Sequence, residues 1–474
     1  MWNLTRSLSG ALLALTVVLL GAGPAAAHGV SDTADVEFAQ SFDGNELTFV
    51  VRRAPEVPGP LRVDVIAHQP VRPVTIELAA RPLEGGAPAA SERNASTVRL
   101  EKGRPGTYST ALRVDGTGRW ELTVQVGDER SVLPFRVMTP RPAAWEATLY
   151  PALAATGVLI VGTLVAAVRR RRVLSVALAA ATAVTLVVAT TAASLSPFVP
   201  AALPKGAAPT VANDPAQGFS ANGRPFANAV ITTEPSKPVS GRTFVVRMRL
   251  LDGSTGQPVN DLMVHHGALA HTVVTSKDLS FFRHVHPVLT GSGTLEIRLT
   301  VDRPGRYLAQ TEFERADSGG QQVSGSFQVG GSKLRTPRDE AGAPAAPAAD
   351  GERAHVTVSP SRVVAGEPTA FDLRVDTDAG PARDLQPWLG MAGHMFVRDR
   401  RSDFFAHIHE LDSMAEMSVP NAVPRDETVG RYGPVLRFTY SFPGPGRYVV
   451  WLQYSRNFTV HTTRLTIDVA AEGN

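Results

Sequence analysis

The 474-residue chain contains no cysteine. Disulfides, thiolate metal sites and cysteine nucleophiles are therefore excluded, and any soft or borderline metal must be held by imidazole, thioether, carboxylate or backbone groups. An excess of one charge is also missing: 47 Lys and Arg stand against 44 Asp and Glu. With no basic stripe interleaved with aromatics, nucleic acid is not an expected partner. No P-loop, Gly-rich dinucleotide motif or nucleophile elbow is present, and no convincing general base stands ready beside a metal. The chain is therefore not read as an enzyme, and it is assigned neither catalytic residues nor an organic cofactor.

Long apolar runs are few, and each has a clear reading. Arg6, an apolar stretch over 11–20 and Pro24-Ala-Ala-Ala27 form a secretory signal over residues 1–27. Cleavage there would expose His28 as a terminus offering both an amine and an imidazole, which makes it a candidate metal ligand. Residues 149–168 and 173–193 are each long enough to span a bilayer, and only the four arginines 169–172 separate them. The expected element is a transmembrane hairpin over 147–195 with its arginine turn in the cytoplasm. Neither span has a charged residue or His in its interior, so the hairpin reads as an anchor and not as a transport path. The expected location is the cell membrane, multi-pass, with the rest of the chain outside the cytoplasm.

The remainder is predicted to be all-β. Short alternating runs such as Leu61-Arg-Val-Asp-Val-Ile66 and Trp120-Glu-Leu-Thr-Val-Gln-Val126 are separated by Gly, Pro and Asp clusters. They imply three immunoglobulin-like β-sandwiches, over 28–143, 226–332 and 354–470, joined by Pro/Ala-rich linkers at 196–225 and 333–353. The second and third are duplicates: Pro304-Gly-Arg-Tyr307 matches Pro445-Gly-Arg-Tyr448, and the first has a weaker echo at Gly118-Arg-Trp120. An aromatic placed so resembles a tyrosine corner, a structural role.

The duplication also copies histidines. Residues 261–286 align without a gap on 384–409, placing His271, His284 and His286 on His394, His407 and His409, six of the 12 His in the chain. Residues two apart on a strand share a face, and a hairpin turning over 276–279 would set His271 opposite His284. The same construction sets His394 opposite His407. Three imidazoles would then converge in each repeat on one metal ion, with a position left open. Met391, Met414 and Met417 crowd the later triad, and mixed imidazole and thioether donors favour copper over zinc. The earlier triad instead has His265 and His266 just upstream, more imidazole and less thioether. Asp278, Asp399 and Asp403 fall in or beside the turns and read as turn formers.

The pattern Gly-x-x-x-His, a hairpin, then Phe-x-His-x-His resembles the extracytoplasmic immunoglobulin-like domains of bacteria that accompany copper resistance and heme-copper oxidase assembly. His28 at the mature terminus of a β-sandwich resembles the periplasmic copper-resistance carriers, in which the terminal His helps to bind Cu(II). The resemblance implies a membrane-anchored protein that chelates copper, Cu(I) or Cu(II), at exposed open sites and exchanges it with an extracytoplasmic protein partner. The other reading is a surface scaffold whose histidines are incidental.

Overall fold

The computed structural model describes residues 36–83, 94–139, 144–195, 226–316, 318–332, 351–417, 425–429 and 431–472. The signal segment and His28 lie outside the described residues. Among the described residues the protein is mostly β, with six sheets and two long helices.

The helices Ala144–Val168 and Arg172–Leu195 are long and apolar enough to cross a membrane. Their Thr156 and Thr185 hydroxyls meet at 2.7 Å, and Thr156 also donates to the Ala152 carbonyl. These bonds satisfy hydroxyls that an apolar surrounding would otherwise leave unpaired. Arg170 takes a positive φ in the turn between the helices.

Each of three β regions contributes two sheets. In the first, Val36–Phe42, Asn45–Val51, Gly59–Ala67 and Gly106–Val114 form one, and Ala95–Leu100, Val74–Pro82, Gly118–Val126 and Glu129–Val137 the other. Alternation drives the packing: along Val74–Pro82, Ile76, Leu78 and Ala80 are buried while their neighbours are not. The inward sets of both sheets join around Phe38, Phe49, Leu61 and Trp120.

The second and third regions repeat one plan. The sheet that carries the histidines pairs His271–Ser276 with Phe282–Val285 on one side and Gly305–Arg315 on the other. In the third region Gly393–Asp399 lies between Phe405–His409 and Gly446–Arg456. Trp120, Tyr307 and Tyr448 each donate to a backbone carbonyl four residues upstream, at 3.1, 2.8 and 2.9 Å, so all three aromatics pin corners of the fold.

Two central strands are buried on both faces, His271–Ser276 along its whole length and Gly393–Asp399 along all but its last residue. One face covers its own sandwich, with Val274 in one core and Met395 and Val397 in the other. The opposite faces pack on each other: Val273 and Leu279 join Phe396, Phe405, Val449 and Trp451, and Phe282 stacks on Trp451 at 4.7 Å. Each fully buried side chain of this size contributes on the order of 1.5–3 kcal/mol, so the two repeats are clamped face to face. Gln310 adds polar links to Arg398 and to the Asp403 carbonyl.

Candidate metal centre

The hairpin register differs from the expected one by two residues. Val273 lies opposite His284 and Thr272 opposite Val285, and in the third region His394 lies opposite His409 and Phe396 opposite His407. The cause is the turn. Asp278 accepts from the Ser276 hydroxyl and from the Ser280 amide and hydroxyl, and the pairing closes with the Ser276 amide on the Phe281 carbonyl, one residue beyond the expected closure. Asp399 caps the sister turn through the Arg401 amide and the Ser402 hydroxyl. A shift of two keeps every side chain on its face. The triads therefore form, and within each the candidate ligand atoms all lie within 4.8 Å of one another.

The hydrogen bonds fix which nitrogen of each ring is free. His271 Nε2 faces the His265 carbonyl at 2.9 Å, and His394 Nε2 faces the Trp388 carbonyl at 3.1 Å. A carbonyl only accepts, so both rings carry their proton on Nε2 and present a lone pair at Nδ1. His284 Nδ1 donates to Gln453 Oε1 at 3.0 Å, His407 Nδ1 to Glu312 Oε2 at 2.6 Å, and His286 Nδ1 to Glu46 Oε1. Those three rings present their lone pairs at Nε2. Carboxylate or carbonyl on one nitrogen and a bare lone pair on the other is the arrangement that orients metal-binding imidazoles.

The lone pairs lack partners. His271 Nδ1, His284 Nε2, His286 Nε2 and His409 Nε2 are buried without a hydrogen-bond partner among the described residues. Each such atom costs about 1–3 kcal/mol if left so. His394 Nδ1 and His407 Nε2 face each other at 3.1 Å, both without a proton in the neutral rings. Two lone pairs at that distance repel unless a proton or a metal cation lies between them. Two nitrogens about 2.0–2.1 Å from one tetrahedral ion would stand about 3.3 Å apart, so the spacing suits chelation. Burial, reinforced by the neighbouring imidazoles, holds His271, His284, His394 and His409 well below the usual His range, which keeps them neutral and available as donors.

The expectation of exposed sites is not met. His271 is 3% exposed, His284 8%, and His286 and His394 0%. The clamp between the repeats and the first region bury the second-region triad, while in the third-region triad His394 is buried and His407 and His409 are half-buried. In the first region Ser41 exchanges hydrogen bonds with the backbone of His286, and the Ala39 amide donates to the Gly267 carbonyl at 2.7 Å. Gly267 itself has φ +70, and a Cβ on it would come within 3.1 Å of Leu389 Cα, a contact of repeat on repeat.

The upstream pair does not serve the nearer triad with its side chains, as its place in the sequence suggests. His266 takes a positive φ that carries its ring to 4.1 Å from the ring of His409, in the other triad, and 3.9 Å from that of His265. Burial together with His265 and His407 pushes its pKa down to about 3. His265 is held by Glu314 at 2.9 Å.

Of the methionines, Met391 is buried on the turn before His394, with its backbone paired to Trp388, and Met414 is exposed on the short helix Leu411–Met417. The Met417 side chain lies outside the described residues. Sequence reasoning missed Glu46, Glu312, Gln453, Trp388 and Phe396. Glu312 and Gln453 could have been found, since both stand five residues after the matched Gly-Arg-Tyr tyrosine, on strands that neighbour the histidines. Nothing local marks Glu46.

A family model described as "Domain of unknown function (DUF8832)" matches residues 228–329 and 348–471, the two histidine-bearing regions. No curated protein matches the chain. Solved structures similar to it include red sea bream transglutaminase, at 11% identity and TM-score 0.16, over 52% of this chain and 32% of that one. The Escherichia coli adhesin FdeC is 11% identical with TM-score 0.16 over 88% and 94% of the two chains. Invasin, a bacterial integrin-binding protein, is 10% identical with TM-score 0.15 over 90% and 60%. The chain thus spans about a third of the transglutaminase. At such scores these likenesses carry no argument about function.

Proposed function

We propose that this is a membrane-anchored, extracytoplasmic copper-binding protein that sequesters the metal at two His triads, His271, His284 and His286 in one repeat and His394, His407 and His409 in the other. Three immunoglobulin-like sandwiches form the extracytoplasmic body, and the two apolar helices form the anchor, with the arginine turn in the cytoplasm. The observation that carries the reading is the facing pair of lone pairs on His394 and His407, together with four further buried imidazole nitrogens that have no partner among the described residues.

Copper is favoured over zinc because an all-nitrogen donor set binds Cu(II) most tightly among the divalent first-row metals. The resemblance to copper-resistance domains points the same way, and a contribution from Met391, Met414 or Met417 to Cu(I) capture and from His28 to Cu(II) binding fits it. Burial of the second-region triad and of His394 supports retention over rapid exchange with a protein partner.

The test is metal analysis and Cu(I) and Cu(II) titration of the full chain purified in detergent, beside a variant with His284, His286, His407 and His409 replaced by Ala. Bound copper in the parent that disappears in the variant is expected. No copper above background in the folded parent would overturn the reading and turn attention to protein partners of the sandwich surfaces.

A further inference from the structure

The separation between the triads is no larger than the separations within them. Ring centroids lie 4.8–5.7 Å apart inside the first triad and 4.6–5.3 Å inside the second. Across the boundary, His271 and His407, His284 and His394, and His284 and His407 are each 5.7 Å apart. The six imidazoles are one continuous cluster.

The supporting groups are exchanged between the repeats. Glu312, on a strand of the second region, orients His407 of the third; Gln453, its counterpart in the third, orients His284 of the second. Phe396 packs on both rings, 4.7 Å from His284 and 4.4 Å from His407. Trp388 sits 5.1 Å from His284 and 5.3 Å from His394. Neither triad has its complete surroundings within its own region.

We infer that the two triads form a single dinuclear copper centre, in which the two Cu(II) ions are close enough to share a small bridging oxygen ligand, water or hydroxide, and to be magnetically coupled. The inference rests on the copper reading above. Three imidazoles leave each ion short of its preferred coordination number, and the vacant positions of two ions in one cluster can be met by one shared donor. Three nearby carboxylates, Glu46, Glu312 and Glu314, each bonded to a ring of the cluster or of its His265 neighbour, offset the charge that two such ions would bring. A cleft of about 350 Å³ where the three regions meet reaches the cluster at His284, beside Gln453 and Trp388. Its wall is of mixed charge, with Arg72, Arg283 and Arg298 beside Asp43 and Glu46.

The test uses the full chain loaded with Cu(II), with copper counted by elemental analysis and unpaired spins counted by electron paramagnetic resonance. The expected result is two coppers per chain with a spin count well below the copper count, and a change in the copper absorption bands when azide is added. His271→Ala and His394→Ala should each retain a single copper whose full spin becomes visible, because its partner is gone. Two coppers with two full, independent spins would overturn the dinuclear centre while leaving copper binding intact. A single copper in the parent, lost in either variant, would also overturn it in favour of one composite site. Absence of copper from the folded parent would remove both readings.

Discussion

The second and third regions place the same three imidazoles on the same pair of strands, yet the groups around those imidazoles differ. At the positions of His265 and Trp388 the side chains have nothing in common, but both give a backbone carbonyl to the first His of the triad. His266 and Leu389 are likewise unlike, and both adopt a positive φ before a glycine that does the same. What the repeats share is backbone geometry and ligand position. What differs is where the charge is placed: His407 leans on a carboxylate, Glu312, whereas its counterpart His284 leans on a neutral amide, Gln453, and the second-region triad takes its carboxylate, Glu46, at His286 instead. A carboxylate raises the basicity of an imidazole more than an amide does, so each triad has one strengthened donor, His407 in the third region and His286 in the second.

The comparison can be broken most forcefully at the clamp. Trp451→Ala removes a side chain that is 2% exposed and stacked on Phe282 across the repeats. A loss of about 3–5 kcal/mol is expected, read as a lowered denaturant midpoint together with weakened copper binding at both triads. Weakening at one triad alone would show that the repeats do not depend on each other.

Glu312→Gln makes the supports of His407 and His284 alike and removes the carboxylate that orients His407. Copper affinity at His394, His407 and His409 should fall by about 10–100-fold, measured by competition titration. Gln453→Glu should move the other triad in the opposite direction. Glu46→Gln is the complementary change, since Glu46 accepts from the His286 ring and from the Ser41 hydroxyl; it should weaken the second-region triad and leave the third unchanged. His266→Leu, which copies Leu389, should keep the copper count and alter the spectrum of the third-region ion alone, because its ring lies against His409.

The smallest effect is expected in the first region, which lacks a triad of its own among the described residues. Glu37 is buried, its carboxylate oxygens are without a hydrogen-bond partner among the described residues, and it lies near Glu427 and Asp426. Burial first, and then those two carboxylates, raise its pKa well above the usual range. A folded-state pKa above the unfolded one gives a contribution that is full below the unfolded value and is lost as pH rises through the folded value. Glu37→Gln should therefore change little near about pH 4 and raise the melting temperature by about 2–4 °C at neutral pH and above. An equal gain at both pH values would rule out titration of Glu37 as the cause.

Much of the site was legible in the spacing of its histidines. The thirteen residues from His271 to His284, repeated from His394 to His407, place the triads, because a strand's period of two puts such residues on one face whether or not the register shifts by two. The register itself was not legible. It depends on how many residues Asp278 and Asp399 draw into their turns, a matter of local hydrogen bonds. Nor was the burial legible, although a signal existed in His271-Thr-Val-Val-Thr and His394-Met-Phe-Val: strands without polar alternation are covered on both faces.

The β character, the duplication, the two apolar helices, the exclusion of thiolate chemistry and the six imidazoles all follow from residue type and periodicity along the chain. The three-dimensional packing alone makes the two triads meet, lends each its support from the other repeat, turns His266 toward the distant triad and brings Glu46 from the first region to close the site. Those contacts join residues 95, 169 and 240 positions apart for Glu312–His407, His284–Gln453 and Glu46–His286. Contacts so remote arise from the packing of whole sheet faces, which is a property of buried area and shape and has no period that a sequence can display.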